Sequence, residues 1–236
     1  MTSTEAHKRH TVAHKLLDGA VLACVPVILA LCAAFKLQAA AGLSTLVAIV
    51  SVLLMMTSFE RSRPALRQIM PTVVLAAIAA AGRILFAPIP DVKPVSAICI
   101  VAGAVLGRRN GFMVGALAAL ISNAFFGQGA WTPWQMYAWG LVGYLGGVAG
   151  EAGLLNQSPN TRAAWGFASA LLYGFILNSF HVIGFVEPLT PAAAITAYLA
   201  GLPWDIIHGV ATAVFLLLIW EPWAMRIRAT TRRYGL

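Results

Sequence analysis

Long apolar stretches separated by short polar and basic segments run along the whole chain. Three of them contain no Asp, Glu, Lys or Arg: Leu37 to Phe59, Asn110 to Gly150 and Ala163 to Val186. A helix needs about 20 apolar residues to cross the hydrocarbon core of a membrane, and the second stretch is long enough for two crossings. The pattern predicts eight membrane-spanning helices, at about 16–35, 38–58, 68–87, 94–107, 110–127, 133–153, 163–186 and 203–222.

Composition agrees with this pattern. Of the 236 residues, 60% are hydrophobic and 10% are charged, whereas soluble domains contain about 25% charged residues. Soluble, fibrous and disordered classes are therefore excluded, and an all-α polytopic membrane bundle is expected. The three cysteines, Cys24, Cys32 and Cys99, have no neighbouring Cys or His at metal-ligand spacing. We predict neither a metal site nor a bound cofactor.

The net charge of +8 is distributed in a way that indicates topology. Most of the 16 Lys and Arg residues lie at segment ends that the eight crossings place on one side. The positive-inside rule makes that side cytoplasmic, with both termini inside. The basic charge then predicts contact with membrane lipids, and no nucleic acid partner is expected.

The apolar segments divide into two groups of different composition. Residues 1–60 form a plain transmembrane hairpin, followed by a basic cytoplasmic linker at 61–68. Residues 69–225 contain six segments rich in Gly, Trp, Asn and Pro, and residues 226–236 form a basic cytoplasmic tail. We expect the function to reside in the six-helix domain.

The outer connection from Ala87 to Pro94 contains three prolines, which fix the backbone and predict a rigid loop. Arg83 lies one turn before it, where a guanidinium must be paired or must face a cavity. Asp91 is the nearest acid that could pair with Arg83. A snorkelling Arg83 with a salt bridge to the loop is the alternative to a ligand contact.

The outer turn from Ser122 to Met136 combines three amides with two indoles. Tryptophans at this depth commonly form an interfacial belt. The amides of Asn123, Gln128 and Gln135 are not explained by a belt, because buried amides need hydrogen-bond partners. Flat aromatic faces beside a few directed polar groups are typical of a small-molecule pocket.

A third polar group lies at the outer start of the last predicted crossing. Pro203 suits a first helical turn, and Asp205 three residues before His208 places carboxylate and imidazole on one face, where they can pair. A capping role for Asp205 at the helix N-terminus is the alternative. Asn178 and His181 form a similar pair on the preceding segment, and together the four predict one polar pocket.

Small residues spaced four apart, such as Ala76 and Ala80 or Gly143 and Gly147, predict close helix packing. Motifs for self-powered transport or hydrolysis are lacking: the sequence has no phosphate-binding loop of the ATPase type, no zinc-protease motif and no nucleophile elbow. The outer polar groups therefore favour capture from outside by a subunit that other proteins drive.

Residues 68–225 resemble the S components of energy-coupling factor (ECF) vitamin transporters. The matching pieces are Gly82-Arg83 with the proline loop, the Gly103 to Phe112 turn, the Asn123 to Met136 block and Leu202 to His208. The resemblance implies a six-helix membrane protein of the bacterial plasma membrane that binds a vitamin or precursor near its outer face. Its implied partners are a transmembrane coupling protein and two cytoplasmic ATPase subunits. The additional N-terminal hairpin departs from the six-helix pattern.

The resemblance also implies residue roles. Ala76 and Ala80 match the face that meets the coupling protein. The block at 127–136 most resembles S components for cobalamin or related corrinoids, although riboflavin, a thiamin precursor and queuosine precursors suit the same side chains. The candidate ligand contacts are Arg83, Asn123, Gln128, Trp131, Trp134, Gln135, Asn178, His181, Asp205 and His208.

Two other classes remain open at this stage. An intramembrane enzyme would use His181, Asp205 and His208, either as zinc ligands or as general acid and base. A structural scaffold would need none of the outer polar groups. No covalent chemistry is predicted for the favoured interpretation.

Overall fold

The computed structural model describes residues 16–24, 27, 40–61 and 66–234, and its described part is helical without strands. The helices are α1 (residues 16–24), α2 (Ala40–Arg61), α3 (Leu66–Leu85), α4 (Val95–Leu106), α5 (Arg108–Phe126), α6 (Trp131–Glu151), α7 (Pro159–Phe185) and α8 (Pro191–Tyr234), with a short 3-10 turn at Leu154–Asn156. The predicted all-α class is confirmed. Residues 61–65 and the tail after 234 include positions outside the described residues, and the division into hairpin, linker and domain stays a prediction.

Two of the described helices, α7 and the part of α8 from Pro191 to Thr230, are long and apolar enough to cross a membrane. The apolar parts of α2, α3 and α4 are shorter. Helix α8 has 44 residues, which corresponds to about 66 Å at 1.5 Å per residue. The hydrocarbon core is about 30 Å thick, so α8 extends well beyond one crossing.

The start of α8 differs from the prediction. Thr190 caps the helix, since its Oγ1 accepts a hydrogen bond from the Ala193 N–H at 3.2 Å, and Pro191 occupies the first turn, where a missing N–H has no cost. Pro203 therefore lies inside the helix, and the predicted start at residue 203 is wrong. Asp205 is far from the helix N-terminus, which removes the capping alternative for its carboxylate.

Helix α6 is central, because α2, α4, α5 and α7 all pack against it. Glycines make these contacts close: a Cβ atom on Gly103 or Gly111 would overlap the carbonyl oxygen of Gly143 on α6. The predicted packing through small residues is confirmed at these positions. Gly107 has a different role, because its φ of 97° makes the one-residue turn between α4 and α5.

One end of the bundle is held by ion pairs between arginines and acids. Arg108 at the start of α5 donates from Nε and Nη2 to both carboxylate oxygens of Glu151, at 2.9 and 2.8 Å. Arg109 binds Asp18 of α1 at 2.7 Å. These residues belong to the side that the charge distribution predicts to be cytoplasmic.

Candidate functional site

Arg83, in the last turn of α3, is held by neutral groups at the opposite end of the bundle. Its Nη1 donates to Ser122 Oγ at 2.6 Å and to Asn123 Oδ1 at 2.7 Å. The guanidinium carbon also lies 4.6 Å from the ring centroid of Phe126 and 4.9 Å from that of Trp139. These distances are typical of cation–π contacts. Arg83 is therefore fixed against α5 and α6.

Arg83 does not form the salt bridge with Asp91 that was the alternative to a ligand contact. Asp91 Oδ1 instead accepts a hydrogen bond from Lys93 Nζ at 2.9 Å. The reason is topological, because α3 and α5 pack side by side and bring Ser122 and Asn123 to the guanidinium. In the described part of the chain, no carboxylate is paired with Arg83.

Asn123 extends the network from Arg83 to α6. Its side chain is fully buried, and its Nδ2 donates to Gln135 Oε1 at 2.8 Å and to Thr132 Oγ1 at 3.1 Å. Thr132 in turn donates to Gln128 Oε1 at 2.9 Å. The amides that the sequence singled out are thus connected, as amides away from water require. Gln128, the last residue in this series of hydrogen bonds, is exposed.

Ser96 of α4 joins Trp139 of α6 and His208 of α8. Trp139 Nε1 donates to Ser96 Oγ at 3.1 Å, and the same oxygen lies 2.9 Å from His208 Nε2. Indole nitrogen is only a donor, so Ser96 Oγ accepts from Trp139, and the tautomer of His208 decides which of Ser96 and His208 donates to the other. His208 Nδ1 is buried without a hydrogen-bond partner among the described residues.

Three flat groups are stacked beside Ser96. The Tyr173 ring lies 4.6 Å from Trp139, at an interplanar angle of 23°, and 5.3 Å from His208, at 12°. With Arg83 against Trp139, these groups form a continuous row of planar side chains across the interior. Stacking of this kind fixes the rings relative to one another behind Arg83.

A cavity of about 210 Å³ lies between Arg83 and the proline-containing loop that follows α3. Polar side chains of Arg83, Asp91 and Lys93 line it together with Phe86 and Phe126. Asp91 adopts a left-handed backbone conformation with φ of 55°, which Asp tolerates better than most residues. A guanidinium has five N–H donors, and the bonds to Ser122 and Asn123 use only Nη1. Among the described residues, Nε and Nη2 have no hydrogen-bond partner.

Asp205, His208, Asn178 and His181 do not form the single pocket that was predicted. Asn178 Nδ2 donates to Asp205 Oδ2 at 2.8 Å, whereas His208 bonds to Ser96. His181 is exposed and stacks on Phe185. The predicted pairing of Asp205 with His208 is wrong, because α8 directs the two side chains to different neighbours, α7 and α4.

The two tryptophans predicted as ligand contacts lie outside the network. Trp131 is 40% exposed, which suits the interfacial belt. Trp134 is fully buried, but its Nε1 donates to Thr45 Oγ1 of α2 at 3.3 Å and its ring packs against Phe180. The structure thus places Trp134 against the N-terminal hairpin rather than against the cavity.

Ala76 and Ala80 are also placed differently from the prediction. Their exposed fractions are 0% and 2%, because they share a face of α3 with Thr72, which donates to Asn110 of α5 at 2.8 Å. A face buried on α5 cannot receive a partner, so the predicted docking residues are wrong. Ala77 and Ala81, one position further along, are exposed.

Sequence reasoning missed four members of the network: Ser96, Ser122, Thr132 and Tyr173. Ser96 had a signal, since it is the only polar residue in the apolar helix α4. Ser122 and Thr132 stood in the polar block that was singled out. Nothing in the sequence distinguishes Tyr173 from a tyrosine of the core.

The segment that contains this network matches a known protein family. Residues 65–225, two thirds of the chain, match the family model described as "ECF-type riboflavin transporter, S component". No curated protein and no solved structure matches the chain significantly. The matched segment covers α3 to α7 and most of α8, and it leaves out α1, α2 and the last turns of α8.

Proposed function

The chain belongs to the family of S components of ECF-type riboflavin transporters, and on this premise we propose that its outer cavity captures a flavin. It is a substrate-binding membrane subunit of an ECF-type transporter. The observation that carries the proposal is Arg83, a cation beneath the outer loop with two nitrogens available and no paired acid among the described residues. An intramembrane charge in such a place is by default a functional group.

Each part of the network has a role in this proposal. Arg83 donates to carbonyl or anionic oxygens of the ligand, and Asn123 with Gln135 fixes the guanidinium. Phe126, which lines the cavity beside the guanidinium, supplies flat apolar area at the same place, and Trp139 packs on the guanidinium from the interior. A planar heterocycle with carbonyl groups on one edge, such as the ring system of a flavin, satisfies both requirements.

The size of the cavity favours riboflavin over a corrinoid. About 210 Å³ is below the roughly 300–1,000 Å³ of common small-molecule pockets. The outer loop must therefore move outward for any vitamin, and the much larger corrinoid requires the greatest movement. Cobalamin stays the second candidate, because the block at 127–136 resembles S components of that type.

The other predicted contacts are secondary in this proposal. Gln128 and Trp131 lie at the exposed outer rim, where they are available to an entering ligand. The bonded pair of Asn178 and Asp205, exposed His181, and His208 behind Tyr173 surround the site at greater distance. Trp134 is assigned to the hairpin contact.

Partner subunits complete the proposal. The implied partners are a transmembrane coupling protein and two cytoplasmic ATPases, and we assign docking to the exposed face of α3. Ala77 and Ala81 are four residues apart on that face, with Val73, Val74 and Ile78 around them. Two small residues at this spacing let another helix approach closely. Location in a bacterial plasma membrane, with both termini cytoplasmic, is part of the same proposal.

The cargo is tested by titrating the detergent-purified protein with riboflavin and, separately, with cyanocobalamin. The proposal expects saturable binding of one riboflavin per chain and much weaker binding of cyanocobalamin. Absence of riboflavin binding, or tighter binding of cyanocobalamin, contradicts the proposed cargo.

Docking is tested with Ala77→Trp, which places a bulky ring on the exposed face of α3. We expect this variant to lose copurification with the ATPase subunits while riboflavin binding persists. Val210→Trp on the exposed side of α8 is the matched control, since Val210 is also an exposed apolar residue. Equal copurification of both variants contradicts the assigned face.

The enzyme alternative has no support from the geometry. His181, Asp205 and His208 bond or stack with three different neighbours. Among the described residues, no group of three or more His, Cys, Asp and Glu side chains is arranged to hold a metal ion.

A further inference from the structure

The outer half of α6 has two polar faces. Thr132, Gln135 and Trp139 point toward the network around Asn123 and Ser96. Trp134 and Tyr137 also carry polar atoms, and both are fully buried. At about 100° per residue in an α-helix, these two sets lie on nearly opposite sides of α6.

The N-terminal hairpin provides hydrogen-bond acceptors for the two donors on the second face, Trp134 and Tyr137. Thr45 of α2 accepts the indole N–H of Trp134 at 3.3 Å, and the carbonyl of Leu22 in α1 accepts the Tyr137 hydroxyl at 2.5 Å. Without the hairpin, both donors would face lipid, where an unsatisfied polar group is costly. The hairpin therefore contributes bonds that the six-helix segment cannot make alone.

The hairpin is also fixed at the opposite end of the bundle. Asp18 Oδ1 accepts a hydrogen bond from Ser58 of α2 at 2.8 Å, and its Oδ2 accepts from Arg109 of α5 at 2.7 Å. Asp18 is buried, with 5% exposure. Polar contacts at both ends hold the hairpin in one position against α5 and α6.

We propose that the hairpin is part of the binding domain and that Thr45 is a positioning residue for the ligand site. The path from Thr45 to the ligand site is short. Thr45 accepts a hydrogen bond from Trp134. The next residue, Gln135, accepts one from Asn123, and Asn123 accepts one from Arg83. The inference rests on the proposed function for its ligand. It assigns a role to residues outside the segment that matches the family.

The test compares Thr45→Val, Thr45→Ser and Ser51→Ala in the full-length protein. Ser51 is the matched control, since its hydroxyl bonds within the hairpin, to the Val21 carbonyl at 3.4 Å. Two quantities are measured: hydrogen exchange of the amides at 131–139 and the dissociation constant for riboflavin. Hydrogen exchange is measured without ligand, so it shows whether the hairpin stabilises α6 even if riboflavin is not the cargo.

Thr45→Val is expected to speed exchange at 131–139 and to weaken riboflavin binding about three- to tenfold, as expected for one hydrogen bond. Thr45→Ser restores both values, and Ser51→Ala leaves both unchanged. If Thr45→Val does not fold, Tyr137→Phe removes the second hairpin bond and replaces it in the comparison. If hydrogen exchange at 131–139 is as slow in Thr45→Val as in the wild type, the proposal is overturned. Faster exchange with unchanged riboflavin affinity also overturns it. A wild-type protein that binds no riboflavin contradicts the proposed cargo instead.

Discussion

Arginines at the two ends of this bundle are stabilised in different ways. At the end predicted to be cytoplasmic, Arg108, Arg109 and Arg162 each pair with a carboxylate, those of Glu151, Asp18 and Glu221. At the outer end, Arg83 has an amide, a hydroxyl and two aromatic rings as neighbours. Paired arginines fix helices to one another, whereas Arg83 has no paired carboxylate among the described residues, which is why we propose it as the ligand contact.

The first prediction concerns Arg83, the arginine that is held by neutral groups. Arg83→Gln should weaken riboflavin binding about 10- to 100-fold, since a hydrogen bond to a charged group contributes about 1.5–3 kcal/mol. Titration of the purified variant measures the loss. Lys93→Gln is the control, because Lys93 lines the same cavity but is paired with Asp91. Equal losses in the two variants would indicate general attraction to positive charge.

The second prediction removes the support of Arg83. Asn123→Ala removes the hydrogen bonds that Asn123 makes with Arg83 and Gln135, and should lower the free energy of unfolding by about 1–3 kcal/mol. The melting temperature should fall by about 2–4 °C per kcal/mol for a chain of this size, together with weaker riboflavin binding. Gln128→Ala, which removes an exposed amide, should change the melting temperature little. Unaltered stability and affinity in Asn123→Ala would mean that Arg83 does not depend on this amide.

The third prediction concerns the opposite end. Arg162 is 8% exposed, bonds to Glu221 and to the Leu155 carbonyl, and lies over the Trp220 ring. Arg162→Gln should lower the free energy of unfolding by about 1–3 kcal/mol, while riboflavin affinity stays within about twofold, as expected for distant independent sites. Thermal unfolding and titration of the same sample check both parts. A large loss of affinity would show that the two ends are not independent.

The smallest effect is expected for Arg108→Lys. Lysine cannot bind both oxygens of Glu151 as arginine does, but the pair is partly exposed, with side-chain exposures of 22% and 38%. Such pairs contribute about 0–1 kcal/mol and are screened by salt. The difference in melting temperature between this variant and the wild type should shrink in high salt. If the difference in melting temperature persists in high salt, its cause is packing and not charge.

The sequence predicts the helices better than it predicts their contacts. Apolar runs locate eight helical segments, and the error at the start of α8 arises because Pro203, a plausible first-turn residue, lies inside a helix. The depth of Arg83 in an apolar segment indicates its importance, but proximity in the sequence indicates only the nearby acid Asp91 as a partner. The actual partners, Ser122 and Asn123, are about 40 residues away, and only the packing of α3 on α5 brings them close.

The tryptophans of α6 illustrate the same limit. Trp134 and Trp139 have similar surroundings in the sequence, yet one bonds to the hairpin and the other to Ser96 beside the site. The difference depends on how α6 is rotated relative to its neighbours. Apolar faces on nearly all sides of α6 leave no amphipathic pattern from which to predict that rotation. The same problem applies to α3, where the residues predicted to be a free face, Ala76 and Ala80, are buried and Ala77 and Ala81 are exposed.

The central claim is that Arg83 holds a flavin in the outer cavity, and native mass spectrometry of the wild type and Arg83→Gln tests it most directly. Both proteins are purified in parallel from cells supplied with riboflavin, and then denatured to release bound small molecules. We predict one flavin per wild-type chain and almost none on the variant, with Arg162→Gln retaining the wild-type amount. Equal flavin on the wild type and Arg83→Gln, or a corrinoid in place of the flavin, would contradict the claim.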